Sequence, residues 1–384
     1  LKTDVALVIG DRRYRGWSAV RVTRGIDAIA GAFELSIFER WSGQQAPWPI
    51  FEGDACSILL AGETLITGFV DKVDLALGPG EHSITISGRD ATGDLVDCSA
   101  RLDRWEFRNT DVLALARKIA APYGISVSLQ PGLPASTYTN KKKHSIDPGD
   151  SAANAIETAC RIPGLLPVSD GLGGLVLVQA GNTRCPTELV EGENILAGRA
   201  SFDLTNRFRT YFVLGSHSGV DSQWRDQNTE DPSLDDSASA VERVTSVRGS
   251  AQDPNVRTGR VLFVRPESSV TATQARTRAQ WEATVRAARG VVASVTVQGW
   301  VTGDDKPWPT NSVVRVRSSS LRLNGDMLVI RATHNLGPDG STTQLDLGLK
   351  DSFKPQPEIP PSSGLWTDVS RGVPKPTGSV WKKP

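Results

Sequence analysis

The chain has 384 residues and an apolar content of 39%, enough for about two to four domains with ordinary cores. Its 43 basic side chains balance 43 acidic ones, so the composition excludes a bulk field that would gather nucleic acid or an anionic membrane. No stretch approaches the ~20 consecutive apolar residues needed to span a bilayer, and the start of the chain carries no signal-peptide pattern.

Residues 1–100 read as strands almost throughout, forming a first β-domain. Val5 to Ile9 runs into a polar turn at Asp11-Arg12-Arg13, Ser18 to Arg24 alternates with period two, and Phe33, Leu35 and Ile37 share one face of the next run. Short alternating strands with Gly-rich turns predict an antiparallel barrel or sandwich. Near residue 109 the period changes. Asn109, Thr110 and Asp111 offer capping side chains, and Val112, Leu115, Ala116 and Ile119 recur at helical spacing until Pro122 and Gly124 end the helix. A second helix is expected from Asp150 or Ser151, carrying Ala153, Ile156, Ala159 and Cys160 up to Pro163-Gly164. Ile125 to Leu129 reads as a strand, and Leu166 to Val178 as a hairpin turned at Asp170-Gly171-Leu172-Gly173-Gly174. Residues 101–190 are therefore expected to form a mixed α/β domain.

The β pattern returns at Asn194 and includes Arg209 to Gly215. Residues 217 to about 257 are rich in Ser, Asp, Gly and Gln, which predicts a long mobile loop. A helix is expected from Thr273 to Arg289 with Ala275, Arg278, Trp281 and Val285 on one face, after which Val291 to Val297 resumes the alternation. The second β-domain is thus expected to be discontinuous, 191–216 with 291–352, interrupted by an inserted domain at 217–290. Prolines at 355, 357, 360, 361, 374, 376 and 384 predict an extended tail over 353–384, with Trp366 and Trp381 as anchors for a partner.

One pattern occurs twice. Ala46-Pro47-Trp48-Pro49 precedes Cys56 to Leu60, a Gly62-Glu63 turn, Leu65 to Val70, and Ser83 to Asp90. Roughly 260 residues later, Lys306-Pro307-Trp308-Pro309 precedes Val313 to Arg317, an Asn324-Gly325-Asp326 turn, Met327 to Ile330, and Gln344 to Asp351. One polypeptide reads as two versions of a small β-module, and such a chain can build a ring with twice as many modules as subunits. Overall the fold class is α+β, mainly β, with two similar antiparallel β-barrel domains and smaller α/β domains.

No candidate chemistry assembles along the chain. Gly171 to Gly174 joins two expected strands, which is a hairpin and not the strand-to-helix setting of a phosphate loop. Gly215-Ser216-His217-Ser218-Gly219 lacks the spacing of a nucleophile elbow. Asp90, Asp94 and Asp97 supply the carboxylates a glycosidase would need, but read more simply as turn caps or partners of Arg89 and Arg101. Lys141-Lys142-Lys143-His144 reads as a solvated loop, with contact to an acidic partner as its functional alternative. Trp48 and Trp308 read as packed corners of the two β-domains. Cys56, Cys98, Cys160 and Cys185 stand far apart and read as buried free thiols, while His82, His144, His217 and His334 are isolated, so no metal spacing occurs in sequence. No catalytic, cofactor-binding or metal residues are expected, and the chain reads as an assembly component rather than an enzyme.

An ordered series of segments adds to this reading: Phe33-Glu34-Leu35, Gly68-Phe69-Val70-Asp71, Ile86 to Cys98, Ala121-Pro122-Tyr123-Gly124-Ile125, Gly192-Glu193-Asn194-Ile195-Leu196, and Asn206-Arg207-Phe208-Arg209 leading to Tyr211. From about residue 15 to 352 the series resembles the baseplate hub protein of Mu-like contractile-tailed phages, a family shared with R-type pyocins and type VI secretion spikes. The resemblance implies a homotrimer in which each subunit gives two tube-type β-barrels. Its pseudo-sixfold face would meet the hexameric tail tube protein, and its remaining domains and C-terminal region would meet the trimeric central spike protein. It further implies contacts with other baseplate proteins, assembly in the host bacterial cytoplasm, and a place in the virion tail baseplate. No cofactor, membrane insertion or sequence-specific nucleic acid is implied. A β-rich adhesin or receptor-binding module and a glycan-cleaving tail enzyme acting through Asp94 and Asp97 are the two rival readings.

Overall fold

The computed structural model describes residues 4–38, 49–78, 81–108, 110–133, 139–140, 144–161, 163–215, 247–266, 270–338 and 340–357. Trp48, Lys141 to Lys143, His217 with most of the expected loop, and the tail with Trp366 and Trp381 lie outside the described residues. The chain divides into a larger unit, Leu1–Asn206 with Thr284–Gln356, and a smaller one built on Arg207–Ala283.

The larger unit begins with seven strands: β1 (Val5–Ile9), β2 (Arg12–Tyr14), β3 (Ala19–Gly25), β4 (Ala32–Phe38), β5 (Ala55–Leu60), β6 (Glu63–Gly78) and β7 (Glu81–Asp90). They pair antiparallel in the order β2-β1-β5-β6-β7-β4-β3. The alternation read in the sequence is what buries their core. Val20, Val22, Leu35, Ile37, Ile58, Leu60, Ile84 and Ile86 point inward with Trp17 and Phe33, while intervening residues such as Arg21 and Glu34 stay exposed. Ala61 and Gly62 both take positive φ in the two-residue β5–β6 turn, the mirror-image geometry that matches strand twist.

An α/β part follows, with α1 (Gly93–Asp97), α2 (Val112–Ala120), β8 (Val127–Leu129), α3 (Ala152–Arg161), β9 (Leu166–Ser169) and β10 (Leu175–Val178). The Asp111 carboxylate accepts from the Leu113 and Ala114 N–H groups and starts α2, a cap worth ~1 kcal/mol. Leu115, Ala116 and Ile119 share one core with Ile156, Ala159 and Cys160 of α3. β9 and β10 form the expected hairpin, closed by the Asp170 carboxylate accepting from the Leu172 and Gly174 N–H groups, and β8 lies parallel to β10. Two features depart from expectation. Residues 93–97 are a single helical turn in a region read as strand, too short for its period to register. Cys98 is exposed at the end of that turn, whereas Cys56, Cys160 and Cys185 are buried as expected.

β11 (Ile195–Phe202) then leads into the smaller unit, which contains β12 (Thr210–Gly215), β13 (Val247–Gln252), β14 (Val261–Val264) and most of α4 (Ala272–Arg289). Here β12 is the centre of a three-stranded sheet between β13 and β14, although its segment was expected in the second β-domain. Its buried Tyr211 and Val213 pack with Ala275 and Ala279 of α4. The inward face of α4 is Ala275, Ala279, Glu282, Val285 and Ala288. Trp281 falls off that face and lies beneath the Arg278 guanidinium, 4.7 Å from it.

The larger unit resumes with β15 (Val291–Gln298), β16 (Ser312–Ser318), β17 (Leu323–Gly337) and β18 (Gly340–Gly348). The order β11-β15-β18-β17-β16 is antiparallel, and two short strands, Thr183–Arg184 and Leu189–Val190, lie parallel along β16. Val295, Val297, Val314, Val316, Val329 and Leu345 form this second core around Trp308. Among the described residues neither module closes into the expected barrel. The second half of β17 keeps β18 on one edge and takes β3 on the other, so both modules join in one continuous sheet.

Candidate assembly surface

The two modules share one ladder, down to its irregularity. β6 and β7 pair from Gly78–Glu81 back to Lys72–Ser87, skip Asp71, and resume at Val70–Gly88. β17 and β18 pair from Gly337–Gly340 back to Arg331–Asp346, skip Ile330, and resume at Val329–Leu347. Leu35 faces Ile86 as Val295 faces Leu345, and Val22 faces Phe33 as Ala200 faces Ala293. Strands β3, β4, β6 and β7 therefore correspond to β11, β15, β17 and β18. A shared skipped residue marks duplication, because a register shift re-aims the whole strand beyond it.

Where the modules meet, β17 from Arg331 to Leu336 lies on β3 from Gly25 to Val20. Thr23 Oγ1 donates to Thr333 Oγ1 at 3.2 Å, the Ile26 N–H donates to the Ile330 carbonyl at 2.9 Å, and Arg331 pairs with Asp27. His334, opposite Val22, is 1% exposed. The matching half of β6 has no such cover. Beyond Phe69 it pairs, among the described residues, with β7 alone, leaving Leu75 72% and Leu77 78% exposed. At the far end of the sheet β11 pairs, among the described residues, with β15 and otherwise only through a single bridge from Ile195 to Glu191, and Leu196 and Phe202 are exposed. Two strand edges carrying apolar side chains are thus open, the kind of feature that monomers usually blunt.

The sequence singled out other residues, and the structure scatters them. Asp90 is buried with Oδ2 accepting from the Gly31 N–H at 2.7 Å, and burial pushes its carboxyl pKa up. Asp97 lies on the surface, gripped by both terminal nitrogens of Arg89 at 3.0 and 2.6 Å, and this hydrogen bonding holds it below the usual carboxylate range. Arg89 also donates to Asp71 at 2.7 Å, so it ties α1 to the skipped residue of β6. Asp94 stands in the first turn of α1. Asp90 is thus buried against the Gly31 backbone while Asp97 is exposed and engaged by Arg89, so these two carboxylates occupy different settings. Trp308 is a core residue, as its position between prolines suggested. Among the described residues no group of three or more His, Cys, Asp or Glu side chains is placed to hold a metal ion. The open edges went unnoticed in the sequence, although Val73-Asp74-Leu75-Ala76-Leu77 carries the alternation that marks them.

Family comparisons follow the same division. Residues 4–90 match the N-terminal domain of the GpP-like Mu phage baseplate assembly proteins, residues 92–179 the second domain of the gp44-like baseplate hub proteins, and residues 271–356 the fourth domain of Mu phage baseplate assembly protein GpP. The chain belongs to the baseplate hub protein family of Mu-like phages. Baseplate hub protein gp44 of Escherichia phage Mu is 28% identical over 361 residues, spanning 92% of this chain and 89% of gp44. The crystal structure of a 43 kDa tail protein from prophage MuSo2 of Shewanella oneidensis is 25% identical with a TM-score of 0.76, covering 92% of this chain and 100% of that one. A tail protein from Neisseria meningitidis MC58 shares the fold at 21% identity and a TM-score of 0.72, covering 92% and 98%. In this hub protein the first and last family matches fall on the two β-modules and the middle one on the α/β part.

Proposed function

We propose that this chain is the symmetry adaptor of a contractile tail. Three copies form a ring, each giving two β-modules, so that a threefold assembly offers six similar faces to the hexameric tube while its other side seats the trimeric spike. The observation that carries this reading is the duplicated ladder with its shared skipped residue. Duplication is what lets one subunit supply two near-equivalent contacts. In the ring the two β-modules would act as the tube-type domains, the first within 1–100 and the second formed by 191–206 with 291–352. The α/β domain 101–190, the inserted unit Arg207–Ala283 and the tail 353–384 remain for the spike and neighbouring baseplate proteins. Assembly would take place in the host cytoplasm and end in the virion baseplate. The role is templating and mechanical, with no step of covalent chemistry.

The test is the solution mass, by light scattering across a dilution series and with tail tube and spike proteins added. A species near three times 41.2 kDa that gains mass with either partner is the expected result. A chain that stays at 41.2 kDa with both partners present overturns the reading.

A further inference from the structure

The junction between β17 and β3 is a template for a contact the single chain leaves unmade. The shared ladder sets Leu336, His334 and Ala332 of β17 in the places of Leu77, Leu75 and Val73 of β6. It likewise sets Val20, Val22 and Arg24 of β3 in the places of Gly198, Ala200 and Phe202 of β11. In the first module β3 receives a strand on its outer edge, whereas in the second the equivalent β11 receives none among the described residues. The converse holds for the long strands, since β17 covers β3 while the second half of β6 covers no second strand edge among the described residues. Six strands lie between β6 and β11 along the ladder, and the two do not pair with each other in the single chain.

We infer that the second half of β6 in one copy pairs antiparallel with β11 of the next copy, in the register of the internal junction: Leu77 opposite Gly198, Ala76 opposite Arg199, Leu75 opposite Ala200, Asp74 opposite Ser201, and Val73 opposite Phe202. This rests on the hub reading and identifies the surface that closes the ring. The side chains fit the arrangement. Leu77 and Leu75 face the small Gly198 and Ala200, where Leu321 already lies against Gly198, and Val73 faces Phe202, whose ring carries the Arg322 guanidinium at 4.6 Å, so Leu77, Leu75 and Val73 extend an apolar stripe begun by Leu321 and Phe202. Asp74 and Ser201 take the places of Thr333 and Thr23, whose hydroxyls are hydrogen bonded across the internal junction. The occupant is a second copy of this chain because each copy carries one unpaired member of each edge. A head-to-tail contact of this kind repeats until the ring closes.

Two experiments on the full chain test the register. In a Cys98→Ser background, which removes the exposed thiol, Leu75→Cys with Ala200→Cys is oxidised and run on a non-reducing gel. Covalent oligomers that collapse on reduction are expected. Ala76→Cys with Ala200→Cys, whose thiols point to opposite faces, is expected to give none. Separately, Leu75→Lys with Leu77→Lys, at positions exposed in the free chain, is expected to keep native circular dichroism and shift the scattering mass to 41.2 kDa. An oligomer that survives the lysines and gives no 75–200 cross-link overturns the pairing and leaves the hub reading standing. A wild-type chain that stays monomeric with tube and spike overturns both.

Discussion

His334 sits at the centre of the internal junction, and its surroundings fix its protonation. Thr343 Oγ1 donates to the Gly299 carbonyl at 2.7 Å, so it accepts from His334 Nδ1–H at 3.1 Å, which fixes the Nδ1–H tautomer of the neutral ring. Burial, followed by the nearby Arg24 charge, lowers its pKa from 6.5 to about 3. A histidine with a depressed folded-state pKa contributes stability that is fully present above the unfolded value. That stability is lost as pH falls from 6.5 toward about 3, at up to ~1.4 kcal/mol per pH unit for one proton. Asp90 works with the opposite sign, its raised pKa withdrawing stability as pH rises through the folded value. The difference between wild type and His334→Leu isolates the histidine. Urea midpoints are expected to show the acid-side slope in wild type and a flatter one in the variant, and parallel slopes would contradict the assignment. None of this was legible in the sequence, where His334 stands among ordinary strand residues and one of the two strands that flank it lies more than three hundred positions away.

At the scale of elements, period-two alternation located nearly every long strand, and capping residues placed α2 and α3 within a few residues, because both signals are local. Sheet membership is not local. β12 carries the same alternation as β16, yet it pairs with β13 and β14, and nothing in its own residues says so. The same holds for the barrels. Alternation shows that β17 is half buried but not that its second half covers another module. Close approach of elements is visible at Gly249 of β13, where an added Cβ would stand 2.1 and 2.2 Å from backbone atoms of Ala275 and Arg276 in α4. Gly249→Ala must therefore push helix and sheet apart, at a cost of about 3 kcal/mol. Hydrogen exchange is expected to quicken in residues 207–283 while β3, β4, β7, β15 and β18 keep their protection. A variant that loosens both units equally would mean they unfold as one.

For the molecule as a whole, the duplicated ladder explains where the smaller unit could be inserted. In the first module the connection from β3 to β4 is the short stretch Ile26 to Gly31, and the corresponding connection from β11 to β15 contains the whole of Arg207–Ala283. Its two ends touch, since the Asp203 N–H donates to the Gly290 carbonyl at 2.7 Å, so the second module sees the insertion as a loop already closed. Replacing residues 204–289 with the sequence of Ile26 to Gly31 should leave the larger unit folded. Shortening the loop by nearly four doublings saves about 2 kcal/mol of closure entropy, set against the loss of the buried Val285 and Ala288 at the end of α4. A cooperative thermal transition in the shortened chain, with the Leu75→Cys and Ala200→Cys cross-link still forming, is the expected outcome. That result would place ring closure in the two modules alone. A shortened chain that folds but no longer cross-links would instead make the inserted unit part of the contact between copies.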